Sequence, residues 1–165
     1  MSQPAPLDPL SLPLHGSRLI EASAGTGKTF TIALLYVRLV LGGHSTDDET
    51  AFVRPLTPPE ILVVTFTNAA TQELRERIRN RLVEAAEVFS DDGQASDALL
   101  LELRDQYDPA TWPACSRRLA LAAEWMDEAA VSTIHSWCYR MLREHAFDSG
   151  MQQSGLAQMI KVAFN

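Results

Sequence analysis

Cysteine, continuous apolar runs and basic charge are all scarce in this sequence. Only 2 cysteines, Cys115 and Cys138, occur among 165 residues. They are too few and too unpatterned for a disulfide framework or a zinc site. No stretch approaches the ~18–20 consecutive apolar residues of a bilayer span. The start is proline-rich and lacks the basic n-region and apolar h-region of a secretory signal. These absences predict a reducing, cytoplasmic setting and no membrane partner. Basic residues number 14 against 21 acidic ones, a net charge of −7. That balance argues against a generic DNA-binding module, which is basic on at least one face, although a whole-chain sum does not decide the matter locally. A Gly-x-Gly-x-x-Gly fingerprint, internal repeats and low-complexity tracts are missing too.

What remains is ordinary for a globular chain: 46% apolar and 21% charged residues, enough for one domain with one core and too apolar for general disorder. Residues 1–17 hold four of the nine prolines and read as an irregular arm. A short strand is expected at 18–22, followed by small residues at 23–27 and a helix over 28–41 that Gly42-Gly43 ends. Residues 44–59, with three prolines, read as a loop, and Ile61-Leu62-Val63-Val64 as a buried strand. Over 69–89, Ala70, Leu74, Ile78, Leu82 and Phe89 form one helical stripe. Arg75, Arg77, Arg79 and Arg81 alternate there with acidic residues, as on a solvated helix face. Weaker helices follow at about 97–106 and 112–128, a third strand at about 130–132, and a helix at 134–144. Cys138 and its Met and aromatic neighbours at 137–142 read as core packing. Strand–helix alternation predicts an α/β fold with parallel strands, and the strands 18–22, 61–65 and 130–133 are expected in one sheet.

The sharpest motif is Glu21-Ala-Ser-Ala-Gly-Thr-Gly-Lys-Thr29. Gly27, Lys28 and Thr29 match the end of a phosphate-binding loop, with Ala22 where its first glycine usually stands. Gly25 and Gly27 let the backbone curl so that its N–H groups, with the start of the next helix, face a phosphate. The residues expected around the nucleotide are Ala22, Ser23, Ala24, Gly25, Thr26, Gly27, Lys28, Thr29 and Phe30. Lys28 and Thr29 are the catalytic candidates, the lysine on the β- and γ-phosphates of ATP and the Thr29 hydroxyl on Mg2+.

Two further blocks narrow the class. Val64-Thr-Phe-Thr-Asn-Ala-Ala70 with Glu73, Leu74 and Arg75 resembles motif Ia of the UvrD-like superfamily 1 DNA helicases. Thr133-Ile-His-Ser-Trp-Cys138 with Arg140, Met141 and Leu142 resembles their motif Ib. The wording of the phosphate loop and of the second block is most similar to the RecB branch, the beta subunits of exodeoxyribonuclease V. The resemblance covers about residues 7–150. It implies a P-loop (RecA-like) ATPase fold, translocation on single-stranded DNA in double-strand-break repair, and sister subunits of an exodeoxyribonuclease V complex. It also places Thr65, Phe66, Thr67, Asn68, Arg75, Thr133, His135 and Trp137 on the DNA path. From the residues alone, Thr67 or Asn68 is equally a helix cap and Phe66 a core residue.

The departures from that family shape further expectations. No strand ends in a paired Asp-Glu; Asp127-Glu128 follows Ala-Glu-Trp-Met, too polar for a buried strand. The later helicase motifs and a nuclease domain do not fit in 165 residues. The chain therefore reads as the ATP-binding N-terminal piece of a longer motor, with an incomplete sheet, a helical excursion at about 97–128, a tail at 151–165 unlike the family, and no turnover by itself. Two other readings stay open: a small nucleotide or small-molecule kinase, and a non-catalytic remnant.

Overall fold

The computed structural model describes residues 6–20, 27–90, 97–147 and 158–161. Helix α1 (Lys28–Leu41) opens the regular structure, strand β1 (Ile61–Thr65) follows, then α2 (Asn68–Val88), α3 (Ala98–Asp105) and α4 (Trp112–Glu124). Strand β2 (Val131–Thr133), helix α5 (Ile134–Phe147) and strand β3 (Gln158–Lys161) complete the order. The three strands form one sheet in the order β2-β1-β3, with both pairings parallel. Val63 lies opposite Val131 and Thr65 opposite Thr133. The fold is thus α/β with a parallel sheet, as the alternation predicts.

One strand differs. Residues 17–20 carry no regular structure, Leu19 is exposed, and positions 21–22 of the expected first strand lie outside the described residues. The place on the far side of β1 is filled by β3 instead, from a stretch with no expected element. The physical requirement is plain. All five residues of β1 are buried, so the N–H and C=O groups on both of its edges need partners. The two-sided apolar run Ile61–Val64 specifies a central strand but not which segment flanks it.

The core lies between α1, α2 and α4. Helix α1 buries every residue from Ile32 to Leu41, and such a helix needs neighbours all round. Arg38 is part of that buried set. Its guanidinium donates to the backbone oxygens of Pro9 (2.9 Å) and Leu12 (2.7 Å) and to Thr50 Oγ1 (3.1 Å). The irregular arm is thereby pinned to α1, with Leu10 and Leu14 buried beneath it. Helix α1 ends at Gly42, whose φ of +75° and near contact with Pro55 exclude a side chain: an added Cβ would stand 2.8 Å from that ring.

On α2 the expected stripe is largely present: Leu74, Ile78, Leu82 and Phe89 are buried, while Ala70 is partly so. Arg77 pairs with Glu73 and Arg79 with Glu76 on the solvated side, as the charge alternation suggests. Arg81 departs from it and is buried. It sits three residues after Ile78 and four before Ala85, which places it on the apolar stripe. The two arms of the excursion are anchored by polar fasteners. Asp97 caps α3 by accepting from Leu99 and Leu100 N–H, and the buried Tyr107 hydroxyl donates to Gly42 O at 2.6 Å. Among the described residues no helix is long and apolar enough to cross a membrane.

Candidate functional site

Both helicase-like blocks lie at the carboxyl ends of neighbouring parallel strands. Because Thr65 is in register with Thr133, the turn leaving β1 and the turn leaving β2 stand side by side. In open parallel sheets that edge is where ligands collect. Within the first turn, Phe66, Thr67 and Asn68 are exposed, Phe66 by 51% of its surface. Thr67 is the N-cap of α2, its hydroxyl accepting from Ala70 N–H at 3.1 Å. In the second, His135 is exposed and Trp137 is half-buried, its indole N–H covered and without a partner among the described residues.

Two of the residues expected on the DNA path are buried, Thr65 with 0% exposure and Thr133 with 8%, and their hydroxyls are engaged within the protein. The Thr65 hydroxyl lies 2.6 Å from the Thr71 hydroxyl and 3.0 Å from Thr67 O. Thr71 Oγ1 is also 3.0 Å from Thr67 O. Thr133 Oγ1 accepts the N–H of Ser136 at 3.2 Å and lies 2.9 Å from the Ser136 hydroxyl. These threonines hold the two turns in shape and leave the exposed side chains to make contacts. Thr71 escaped the sequence reading because a threonine inside a helix carries no motif signal; its spacing of i, i+6 from a strand-end threonine is the only cue.

Arg75 is also turned inward. Its guanidinium donates to Val131 O at 3.0 Å and Asp127 O at 3.3 Å. It ties α2 to β2 and to the short 3-10 turn Trp125–Glu128. That turn carries Asp127 and Glu128, which are therefore not at a strand end. Asp127 is exposed and engaged by Arg79.

Of the phosphate-loop residues, Ala22, Ser23, Ala24, Gly25 and Thr26 lie outside the described residues. Gly27 is the N-cap of α1 in the left-handed region, at φ +79°, and provides no side-chain cap. A glycine there costs nothing in strain, whereas any Cβ would. The first N–H groups of α1 are consequently not occupied by a capping side chain, which is the arrangement an anion requires. Lys28 and Thr29 follow, both half-buried, and Phe30 presents an exposed edge. No acidic residue occupies the first turn, so nothing in that turn competes with a phosphate for the helix dipole.

Helix α5 is more open than expected. Cys138 is exposed, as are Tyr139 and Leu142, so the reading of 137–142 as packing is corrected. Apolar content marks a face that can be covered, not one that is. A groove of about 570 Å³ between α2 and α4 is lined by Arg79, Val83, Ala86, Ala123 and Glu124 among others; none of the expected site residues faces it. Among the described residues there is no cluster of three or more His, Cys, Asp or Glu fit to hold a metal.

A parallel α/β domain, a glycine-started helix bearing Lys-Thr, and two exposed turns on one sheet edge define a class that comparison bears out. The chain belongs to the UvrD/REP helicase N-terminal domain family, whose description matches residues 4–162. It is similar to the RecBCD enzyme subunit RecB of Escherichia coli (strain K12), 56% identical over 149 residues, 88% of this chain and 12% of that protein. The subunit of the same name from Haemophilus influenzae is 44% identical over 156 residues, 92% of this chain and 12% of its own. That from Mycolicibacterium smegmatis is 36% identical over 137 residues, 83% and 11% respectively. The chain thus spans about 12% of the length of these curated relatives.

Proposed function

We propose that the chain forms part of the ATP-binding domain of a RecB-type DNA helicase subunit, with a P-loop (RecA-like) fold, acting with the other subunits of a RecBCD-like (exodeoxyribonuclease V) enzyme in recombinational repair. The observation that carries this reading is the start of α1: a left-handed glycine without a side-chain cap, followed by Lys28 and Thr29, within a chain of this helicase family. The residues present fit a magnesium nucleotide. Lys28 would neutralise the β- and γ-phosphates, the open N–H groups of α1 would donate to their oxygens, and the Thr29 hydroxyl would ligate the metal. A magnesium ion bound there supplies charge neutralisation along the phosphates. Single-stranded DNA would run along the exposed sheet edge. Phe66 offers a face for base stacking, and Asn68 and His135 offer hydrogen bonds.

Binding and turnover separate in this reading. Hydrolysis needs a carboxylate to hold the metal together with Thr29, a group to orient water, and a cation for the developing charge. Asp127 and Glu128 occupy a 3-10 turn rather than a strand end, and Arg75 is spent on backbone oxygens. The proposal is therefore nucleotide binding without ATPase activity for the 165-residue chain. Titration of a fluorescent ADP analogue with Mg2+ tests it. Lys28→Ala is expected to weaken binding at least about tenfold, the equivalent of ~1.4 kcal/mol, and phosphate release is expected at background. Equal affinity in Lys28→Ala would refute the phosphate-loop assignment. Turnover that Lys28→Ala abolishes would refute the separation.

A further inference from the structure

Arg81 is buried, with 6% of its side chain exposed, and it joins three elements. Its guanidinium lies 4.5 Å from the centroid of the Phe30 ring on α1. Nη1 donates to Asp97 Oδ2 at 2.6 Å and to Glu84 Oε2 at 3.0 Å. Asp97 is the N-cap of α3, its carboxylate also accepting Leu99 N–H at 2.9 Å and Leu100 N–H at 3.2 Å. Phe30 is the third residue of α1, immediately after Lys28 and Thr29. Among the described residues, the Nε and Nη2 groups of Arg81 are buried without a partner.

For stability alone this is a poor choice of residue. An apolar side chain of similar length would cover Phe30 without leaving two donors desolvated. What a guanidinium adds is a planar surface for the ring together with a directed bond to a carboxylate. On the stripe of α2 it reaches the first turn of α1 on one side and the cap of α3 on the other. The first turn of α1 has no side-chain cap of its own, and Arg81 packs on it at Phe30.

We infer that Arg81 is a positioning residue for the phosphate-binding turn: by stacking on Phe30 and holding Asp97, it sets the orientation of Lys28 and Thr29 and ties it to the start of the helical excursion α3–α4. The inference rests on the nucleotide-binding reading above. It assigns to the excursion a mechanical link to the nucleotide that the motifs themselves do not contain.

The test compares nucleotide affinity with thermal stability in the same preparations. Arg81→Met keeps the volume and removes the fork and charge. It is expected to weaken binding of the magnesium–ADP analogue about fivefold to tenfold, through misplaced ligands rather than lost ones, together with a lower melting temperature because Asp97 loses its partner. Arg81→Lys keeps the charge without the plane and is expected not to restore affinity. Phe30→Leu, which leaves the Arg81–Asp97 pair intact, is expected to match Arg81→Met and serves if that variant fails to fold. A lower melting temperature with unchanged affinity in Arg81→Met, or unchanged affinity in Phe30→Leu, would overturn the inference. Lys28→Ala run alongside separates the two claims. If it binds as the parent does, the phosphate-loop reading falls and takes this inference with it. If it loses binding while the Arg81 and Phe30 variants do not, only the positioning role is wrong.

Discussion

Three close contacts among Thr65, Thr67 and Thr71 are served by only two hydroxyl hydrogens. The Thr65 and Thr71 hydroxyl oxygens are 2.6 Å apart, and each lies 3.0 Å from Thr67 O. One hydroxyl donates to the carbonyl and the other donates to the first hydroxyl, so two hydrogen bonds exist at any moment. Replacing either threonine by the near-isosteric valine removes one of them, because the survivor can still reach Thr67 O. Thr67 O keeps the Thr71 N–H at 3.1 Å throughout, so no acceptor is orphaned. At about 1 kcal/mol for each neutral bond, Thr65→Val and Thr71→Val should each cost about 1 kcal/mol. The double variant should cost about 2, with a coupling energy inside about 0.5 kcal/mol. Counting three independent bonds gives a different answer: about 2 for each single, about 3 for the double, and a non-additivity near 1 kcal/mol. Urea unfolding with matched m-values distinguishes the two. A coupling near 1 kcal/mol would refute the two-hydrogen argument and with it the view that these threonines act as one interchangeable brace.

The remaining predictions concern pH and DNA. The Arg54 guanidinium and the Thr57 backbone N–H hold the Glu60 carboxyl at about 2, below its ordinary 4.5. The stability this adds is present above about pH 5 and lost as the pH falls towards 2, and Glu60→Gln should flatten the melting curve in that window by about 1 kcal/mol once solvent screening is counted; a variant with the parent's acid profile would refute it. Phe66→Ala should weaken single-stranded DNA binding by about 1–3 kcal/mol in fluorescence anisotropy if a base stacks on the exposed ring, and an unchanged affinity in the folded variant would remove Phe66 from the DNA path.

Legibility from sequence followed the physical strength of each signal. Helices α1 and α2 fell where expected, within a residue, because long amphipathic or fully apolar stretches ended by glycine or begun by a threonine cap leave few alternatives. Strand β1 was legible for the same reason. The strand on its far side from β2 was not. Arg18-Leu-Ile is short, and a short apolar run states only that it can be buried. Which segment completes an edge is a tertiary choice, and β3 fills it here. The burial of Arg81 was readable from its place between Ile78 and Ala85, but balancing charges along α2 concealed it. Local charge counting treats every arginine as solvated, whereas helical phase decides which one is.

The arginines also explain why a net charge of −7 and membership of a DNA helicase family are compatible. Arg38 is spent on Pro9 and Leu12 carbonyls, Arg75 on Asp127 and Val131, and Arg118 on Leu41 O. Arg104 covers Trp112, and Arg81 covers Phe30. The guanidinium can satisfy several backbone oxygens at once while its stem packs on apolar surface. In this chain it fastens helices to loops and strands. Those arginines are therefore spent inside the protein, while the side chains exposed at the turns leaving β1 and β2 include Phe66, Thr67, Asn68 and His135, the residues proposed to meet DNA. In the proposed reading such side chains would grip bases by stacking and sugar–phosphate oxygens by neutral hydrogen bonds.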